Sequence, residues 1–567
     1  MEDLSIVLCG EAGQGIQTVE KLFTRIIKKA GFNLFSTKEY MSRVRGGSNS
    51  TEIRISTKSV SAYIDRIDIL IPLNGDAIQH IQKRILKNTL IIGEEKNIKT
   101  KKNSKKIAFP IAKTAEEIGS KIYSNTVAVG ILSSILGINK KILKDVTKEY
   151  FQNKKRDIIN KNIKAAEKGY DLFKDLIEKE KINFKLNKPK SKNDNILLNG
   201  AESIGLGAIA GGCNFISSYP MSPSTGVLTF LSKNSQDFNI IAEQAEDEIS
   251  AINMVIGAWY AGARGMVTTS GGGYALMTEG ISLAGMIESP VVIHLAQRPA
   301  PATGLPTRTE QGDLEHALYS SHGEFPKILF APATLEDGFY LTQKAFDIAD
   351  KYQIPVYILT DQYFIDSFYG IKDLDLNKIR KKNHFIKTTK NYKRYKLIKN
   401  GISPRGIPGY GSGLICVDSD EHDESGRITE DMEIRNKMVE KRLKKFSEIQ
   451  KEIIPPELIG KKDYKYLIIG WGSNYHLIKE AIVNIDDEKI AHLHFRQVFP
   501  IHEDTLKFLK KADKAIMIEN NATSQFSKLI RQQTGYEIKN RILQYNGLPF
   551  SVETLIKEIK KIIGDKL

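Results

Sequence analysis

The chain has 567 residues, with 83 Lys and Arg against 67 Asp and Glu, a net charge of +16, and 41% hydrophobic residues. That apolar share excludes a disordered chain, and no apolar run approaches the roughly 20 residues that span a bilayer. The lysines are dispersed among Ile and Asn, with small clusters at Lys101-Lys102, Lys105-Lys106 and Lys188 to Lys192. They read as a solvated surface and not as a nucleic-acid face.

At typical domain sizes the length suggests several domains. Its three cysteines, Cys9, Cys213 and Cys416, are too scattered for a disulfide framework or a zinc pair. They are too few for a four-cysteine iron–sulfur cluster. The start, Met1-Glu2-Asp3, is acidic and lacks the basic opening of a signal peptide. The expectation is a cytoplasmic protein with no membrane and no nucleic-acid partner.

In chain order, residues 4–9 (LSIVLC) predict a buried strand. The turn Gly10-Glu11-Ala12-Gly13-Gln14-Gly15 follows, then a helix whose Ile16, Val19, Leu22, Phe23, Ile26 and Ile27 recur at helical spacing. This opens an α/β domain. The glycine order is G-x-x-G-x-G, not the G-x-G-x-x-G of a dinucleotide fold, and no phosphate-loop Gly-Lys-Ser/Thr is present. A tight structural turn explains it as well as an anion site does. Further strands are predicted at Thr51–Ser56 and Ile67–Ile71. From about 139 the chain turns Lys-rich, predicting helix and then a linker ending in Pro189-Lys190-Ser191-Lys192. A second glycine-rich α/β region runs from 196 to 380, with strands at Asn214–Ile216, Val291–Leu295 and Pro355–Leu359. Turn signals and a charged helix near 430–451 fill 381–460. A last α/β unit has strands at Tyr466–Ile469, Ala491–Phe495 and Ala515–Ile518.

Three clusters in the second region carry chemistry. Ser217-Ser218-Tyr219-Pro220-Met221-Ser222-Pro223-Ser224-Thr225 is a loop stiffened by two prolines. One of its hydroxyls is expected to cap the next helix, leaving another for a ligand. Glu243-Gln244-Ala245-Glu246-Asp247-Glu248 opens a helix. Glu246 and Asp247 suit its dipole, whereas Glu248, next to the apolar stripe, is expected to point inward with a raised pKa. Thr268-Thr269-Ser270-Gly271-Gly272-Gly273 permits close approach to a flat ligand. Arg298 and Arg308, in Gln297-Arg298-Pro299 and Thr303-Gly304-Leu305-Pro306-Thr307-Arg308-Thr309-Glu310-Gln311-Gly312-Asp313, each suit a carboxylate or a structural ion pair. Cys213 reads as a small buried residue. The acidic run Asp418 to Glu424 fails a calcium-loop template and reads as a solvated turn before a helix capped near Thr429.

Together these clusters resemble the alpha subunit of 2-oxoacid:ferredoxin oxidoreductases. Gly13-Gln14-Gly15 with Arg45-Gly46-Gly47 resembles that family's gamma domain. The resemblance implies a multidomain α/β protein. Its parts would be a gamma-like α/β domain (1–185), a linker (186–195), a thiamine-diphosphate pyrimidine-binding domain (196–380), a connecting segment (381–460) and a transketolase-C-terminal-like domain (461–567). It implies oxidative decarboxylation of a 2-oxoacid, with 2-oxoglutarate preferred and branched-chain 2-oxoacids or pyruvate open, to acyl-CoA and CO2, and electron transfer to ferredoxin. Glu248 would hydrogen-bond the aminopyrimidine, and Gly271, Gly272 and Gly273 would line the cofactor. Tyr219, Ser222 (where many relatives carry Thr) and Ser224 would flank the substrate, and Arg298, Arg308 or both would bind its carboxylate. Glu519 to Gln525 resembles the family's C-terminal segment, where relatives often show Gly at Ser524. No Gly-Asp-Gly segment for a magnesium diphosphate is present here. The resemblance therefore implies a partner beta subunit holding Mg and the iron–sulfur cluster, with coenzyme A as cosubstrate. The positive charge is compatible with an acidic ferredoxin. Other readings are a non-redox thiamine-dependent decarboxylase subunit and a non-catalytic assembly subunit. The glycine order disfavours a nicotinamide dehydrogenase.

Overall fold

In a computed structural model the described residues are all except Met1, 43–45, 183, 185, 188, 190–192, 380–381 and 565–567, together with the side chains of residues 12 and 46. Arg43, Val44 and Arg45 of the expected Arg-Gly-Gly loop, and Lys188, Lys190, Ser191 and Lys192 of the linker, thus lie outside them. The chain forms two compact units, Met1–Leu197 with Asp366–Asp373, and Leu198–Ile365 with Leu374–Leu567. Among the described residues no helix is long and apolar enough to cross a membrane.

The first unit is built on a mixed sheet. Across it run the strands Lys105–Ala108, Leu90–Gly93, Ile69–Pro72, Asp3–Ala12, Gly46–Ser56, Asn33–Glu39, Phe368–Ile371 and Ile196–Asn199. The predicted opening holds: strand Asp3–Ala12 turns at Gly13 and Gly15, both at positive φ, into helix Ile16–Lys29. The turn closes on itself, since Gln14 Oε1 accepts the Glu11 amide at 2.9 Å. The helix stripe from Ile16 to Ile27 is buried in the unit's main core with Leu4, Ile6 and Leu8. Helices Ser124–Ile135 and Arg156–Lys179 cross at glycine. A Cβ on Gly130 would run into the Ala166 carbonyl, and one on Gly169 into the Val127 carbonyl. Only hydrogen at these two positions lets the backbones meet.

The second unit holds two sheets of functional interest. The larger runs Gln497–Phe499, Ile328–Phe330, Pro355–Asp361, Val291–Gln297, Gly265–Thr269, Phe215–Ser218 and Ile241–Gln244. Its pairs are parallel except the first. The predicted strands 291–295 and 355–359 lie in it, each two residues longer. They are buried end to end, as strands covered on both faces must be. The smaller sheet runs Glu457–Ile459, Ile490–Phe495, Tyr466–Trp471, Lys514–Glu519 and Asn540–Leu543.

The charged helix Met432–Ile449 departs from its expected solvated character. Lys441, Arg442 and Lys445 are buried on it. Lys441 Nζ lies 2.5 Å and Lys445 Nζ 2.6 Å from the two oxygens of Glu288, itself 1% exposed. Arg394 donates to the Glu288 carbonyl at 2.8 Å. Burial holds both lysines below the usual ammonium range, Lys445 down to about 7. Burial opposes ionisation of Glu288, but the two ammoniums win and hold it low. One carboxylate thus serves several buried cations. Glu288→Gln strands two of them and is expected to destabilise the fold by about 3–5 kcal/mol, whereas Lys445→Met leaves a one-to-one pair and is expected to be close to neutral. Thermal unfolding of the two variants checks this contrast.

The acidic segment 418–424 is also more than a solvated turn. His422 is buried with its ring 4.0 Å from that of Tyr395. Glu421 takes two bonds from Arg442, and Glu424 accepts the Leu397 amide. The following helix is capped by Asp431, not Thr429, through the amides of Glu433 and Ile434.

Candidate active site

Parallel strands present their carboxyl ends along one edge, where loops can gather residues distant in sequence. Four adjacent strands, Ile241–Gln244, Phe215–Ser218, Gly265–Thr269 and Val291–Gln297, lead at their carboxyl ends into the three clusters singled out above. Their ends are tied together. Ser218 Oγ accepts the Thr268 amide at 2.9 Å, and His294 bridges Thr268 and Thr360 at 2.7 and 2.8 Å. Burial pushes His294 down to about 3, so it is neutral there.

Glu248 opens helix Glu248–Tyr260, with Asp247 as its cap accepting the Ser250 amide at 2.7 Å. The division expected between the two acids is thus observed. Glu248 is 2% exposed, and its Oε1 is buried with no hydrogen-bond partner. Burial, then the charge of Asp247, raises its pKa against the pull of Thr269 and Arg298. Gly271–Leu276 is a short helix directly after strand Gly265–Thr269. A Cβ on Gly273 would collide with Glu248 Oε1 and Thr269 Oγ1, and one on Gly271 would lie 2.6 Å from both Asp313 oxygens. Gly272 has open space, its nearest neighbour being the Ala302 carbonyl at 3.9 Å.

Arg298 follows strand Val291–Gln297 and is 9% exposed. Its Nη1 donates to the Ser222 carbonyl at 2.7 Å, while its Nε is buried and unpartnered. Burial lowers its pKa, and the charges of Asp313 and Glu248 oppose that. The structure therefore gathers Glu248, Gly271, Gly273, Ser222 and Arg298. Tyr219 lies 41% exposed just past the end of its strand. Ser224 is fully buried. Its hydroxyl donates to the Met221 carbonyl at 2.7 Å, so it does not cap helix Thr225–Lys233, contrary to the expected capping hydroxyl. Arg308 stands elsewhere, beside the Gly547 turn. Cys213 is buried and pushed up to about 12, as its reading as an inert core residue requires.

Asp313 and Ser270 were missed by sequence reasoning. Asp313 is 5% exposed with Oδ2 unpartnered, and burial, with Glu310, pushes it up to about 7 against Arg298. Ser270 Oγ is likewise buried without a partner. Asp313 ends the segment Thr303–Asp313, yet nothing in the sequence tells that it folds back over Gly271. Buried polar atoms are almost always bonded, so four orphans in one cluster (Glu248 Oε1, Ser270 Oγ, Arg298 Nε, Asp313 Oδ2) mark a place built for a ligand.

Gln311 fastens the loop that carries Asp313. It donates to the Trp471 carbonyl at 3.0 Å and accepts from Asn474 and the Asn520 amide. Glu519 holds the next layer, accepting from Asn521, Ser524 and the amides of Phe526 and Ser527. Ser524 sits at φ 53°, a left-handed conformation that glycine adopts without strain.

Residues 206–441 match the family described as "Pyruvate flavodoxin/ferredoxin oxidoreductase, thiamine diP-bdg", and residues 5–172 the one described as "Pyruvate ferredoxin/flavodoxin oxidoreductase". The chain is similar to the 2-oxoacid:ferredoxin oxidoreductase subunit alpha of Sulfolobus sp, 31% identical over 99% of this chain and 97% of that one. It is similar also to the 2-oxoglutarate oxidoreductase subunit KorA of Mycobacterium tuberculosis, 27% identical over 100% of this chain and 92% of that one. Among solved structures, a 2-oxoglutarate:ferredoxin oxidoreductase from Magnetococcus marinus, with 2-oxoglutarate, coenzyme A and succinyl-CoA bound, superposes with a TM-score of 0.92 at 28% identity. The match covers 99% of this chain and all of that one.

Proposed function

The chain belongs to the family of 2-oxoacid:ferredoxin oxidoreductase alpha subunits, and on that premise we propose that it supplies the pyrimidine-binding half of a thiamine-diphosphate site for the oxidative decarboxylation of 2-oxoglutarate. The products would be succinyl-CoA and CO2, with electrons leaving through a partner beta subunit to ferredoxin. The observation that carries this reading is the buried, unpartnered Glu248 Oε1 beside a glycine turn whose Cβ-free face it occupies. The 2-oxoglutarate and coenzyme A bound by the Magnetococcus marinus enzyme support the choice of substrates.

The residues fit thiamine diphosphate. Glu248 would hold its aminopyrimidine ring, and Gly271, Gly272 and Gly273 would admit its flat face. When bound, the cofactor supplies an electron sink for decarboxylation. The protein's own part is electrostatic. Glu248, with its pKa raised, can keep or share a proton at a ring nitrogen. Arg298, fixed at Nη1 by Ser222 and free at Nε, is set to anchor a carboxylate, with Tyr219 and Ser222 alongside. Ser224, spent on Met221, would shape that loop. We assign Arg308, which stands beside Gly547, a supporting role in the same loop. The iron–sulfur cluster and Mg fall to the beta subunit, since three cysteines cannot hold a four-cysteine cluster. We assign residues 1–185, 196–380 and 461–567 as the gamma-like, pyrimidine-binding and C-terminal-like parts.

The test is viologen reduction without oxygen by this chain co-expressed with its partner subunit. Reduction that needs thiamine diphosphate, Mg, coenzyme A and 2-oxoglutarate together is the expected result. An assembled, loaded complex that reduces no dye with any 2-oxoacid overturns the reading in favour of a non-redox or assembly subunit. In the active complex Arg298→Met is expected to raise KM for 2-oxoglutarate about 30-fold or more, the effect of losing roughly 2 kcal/mol from a buried charge pair. An unchanged KM removes Arg298 as the anchor.

A further inference from the structure

Asp313 has no part in the roles assigned so far, and its setting is unusual for a carboxyl group. Arg298 faces it from the end of strand Val291–Gln297 and Glu310 from its own loop, while Glu248, at the start of helix Glu248–Tyr260, acts on the same Arg298. Helix Gly271–Leu276 brings Tyr274, whose hydroxyl is bonded to Ser320 and Tyr357. The helix that Asp313 precedes carries His316, edge-on to Tyr274, and Glu315, paired with Lys528. Helix Gln525–Thr534 adds Gln525, which donates to the Gly312 carbonyl. Among the described residues Arg298 is thus the one cation acting on Asp313, yet the two are not ion-paired, and each keeps a buried polar atom without a partner. An arginine lying in the field of two carboxylates and bonded to neither has room for a third acid. A carboxylate that engages Arg298 withdraws the cation that steadies ionised Asp313, and adds a negative charge beside it.

We propose that Asp313 is a positioning residue for the anionic substrate: as a carboxylate docks on Arg298, Asp313 takes up one proton from solvent and leaves the guanidinium to the newcomer. This rests on the reading of Arg298 as the carboxylate anchor. The step is a protonation only, with the proton moving from buffer to an Asp313 oxygen and no other bond changing. Burial places the exchange near neutrality, since it holds Asp313 up to about 7 before any substrate binds. Substrate binding is then coupled to proton binding and weakens as pH rises.

The test uses the complex with the partner subunit. Freed of thiamine diphosphate so that no turnover occurs, it is titrated calorimetrically with 2-oxoglutarate near neutral pH in phosphate and in Tris, whose ionisation enthalpies differ. The wild type is expected to take up between about one half and one proton per site, and Asp313→Asn close to none. In turnover by the loaded complex, KM for 2-oxoglutarate is expected to rise about tenfold per pH unit on the alkaline side in the wild type. It should stay flat in Asp313→Asn, with the pH profile of kcat unmoved. If the variant fails to assemble, the wild-type measurements decide alone. A pH-independent wild-type KM, or a rise that persists in Asp313→Asn, overturns the assignment and leaves the proposed reaction standing. A loaded complex that turns over no 2-oxoacid overturns both.

Discussion

Glu248→Gln is expected to lower 2-oxoglutarate-dependent dye reduction by a factor of about 10² to 10⁴, with assembly of the complex intact. The amide keeps the shape of the side chain and the Asp247 cap of its helix, so the local fold should survive. What is lost is the capacity to hold or share a proton at the buried Oε1. Stability should move the other way. Glu248 is raised above its unfolded value of about 4.5, so its contribution is fully present below that value and is lost as pH rises through the folded one. The variant carries no such loss, and the free chain should be at least as stable as the wild type at neutral pH. Activity within a few-fold of wild type, in a complex with cofactor bound, would remove Glu248 from the chemistry.

Gly273→Ala should be nearly as damaging, for a steric reason. Its methyl group would take the place of Glu248 Oε1 and Thr269 Oγ1, both held in a buried cluster. One of them must move, at a strain of about 1–3 kcal/mol, and the carboxylate leaves its aim. Gly272→Ala offers the contrast. With open space before it, and in the same short helix, it is expected to hold or raise folding stability by up to about 1 kcal/mol. Thermal unfolding of the two variants beside dye reduction by Gly273→Ala tests this. Equal stability for both would mean that the glycine turn is looser than its packing implies.

Much of the fold was legible because it rests on local periodicity. The stripe from Ile16 to Ile27 and the unbroken apolar strands near 291 and 355 announce themselves within a few residues. Asn33–Glu39, Leu90–Gly93 and Lys105–Ala108 were not marked, since they are short or carry polar side chains at or near a sheet edge. The buried lysines of helix Met432–Ile449 were read as solvated, because the carboxylate that permits their burial lies 153 residues away from Lys441 in sequence. In the site, Glu248 was legible as the acid next to an apolar stripe. Asp313 was not, since its environment comes from a loop folding back and being pinned through Gln311 to residues near 471 and 520. The capping hydroxyl failed for a related reason. Ser224 found the Met221 carbonyl, a competing partner that composition does not reveal.

The first unit includes Asp366–Asp373, whose strand pairs antiparallel with Asn33–Glu39 through Phe368 opposite Ser36 and Tyr369 opposite Phe35. No composition shift marks that segment. During synthesis, the flank of Asn33–Glu39 stays bare until the ribosome has passed residue 371. At translation speeds of about 5–20 residues per second, that is a delay on the order of ten to thirty seconds after Leu197 emerges. For that interval the nascent chain displays an open strand edge, the kind of surface that recruits chaperones or seeds mispairing. A gene split anywhere between the two segments would make the delay permanent for the upstream fragment.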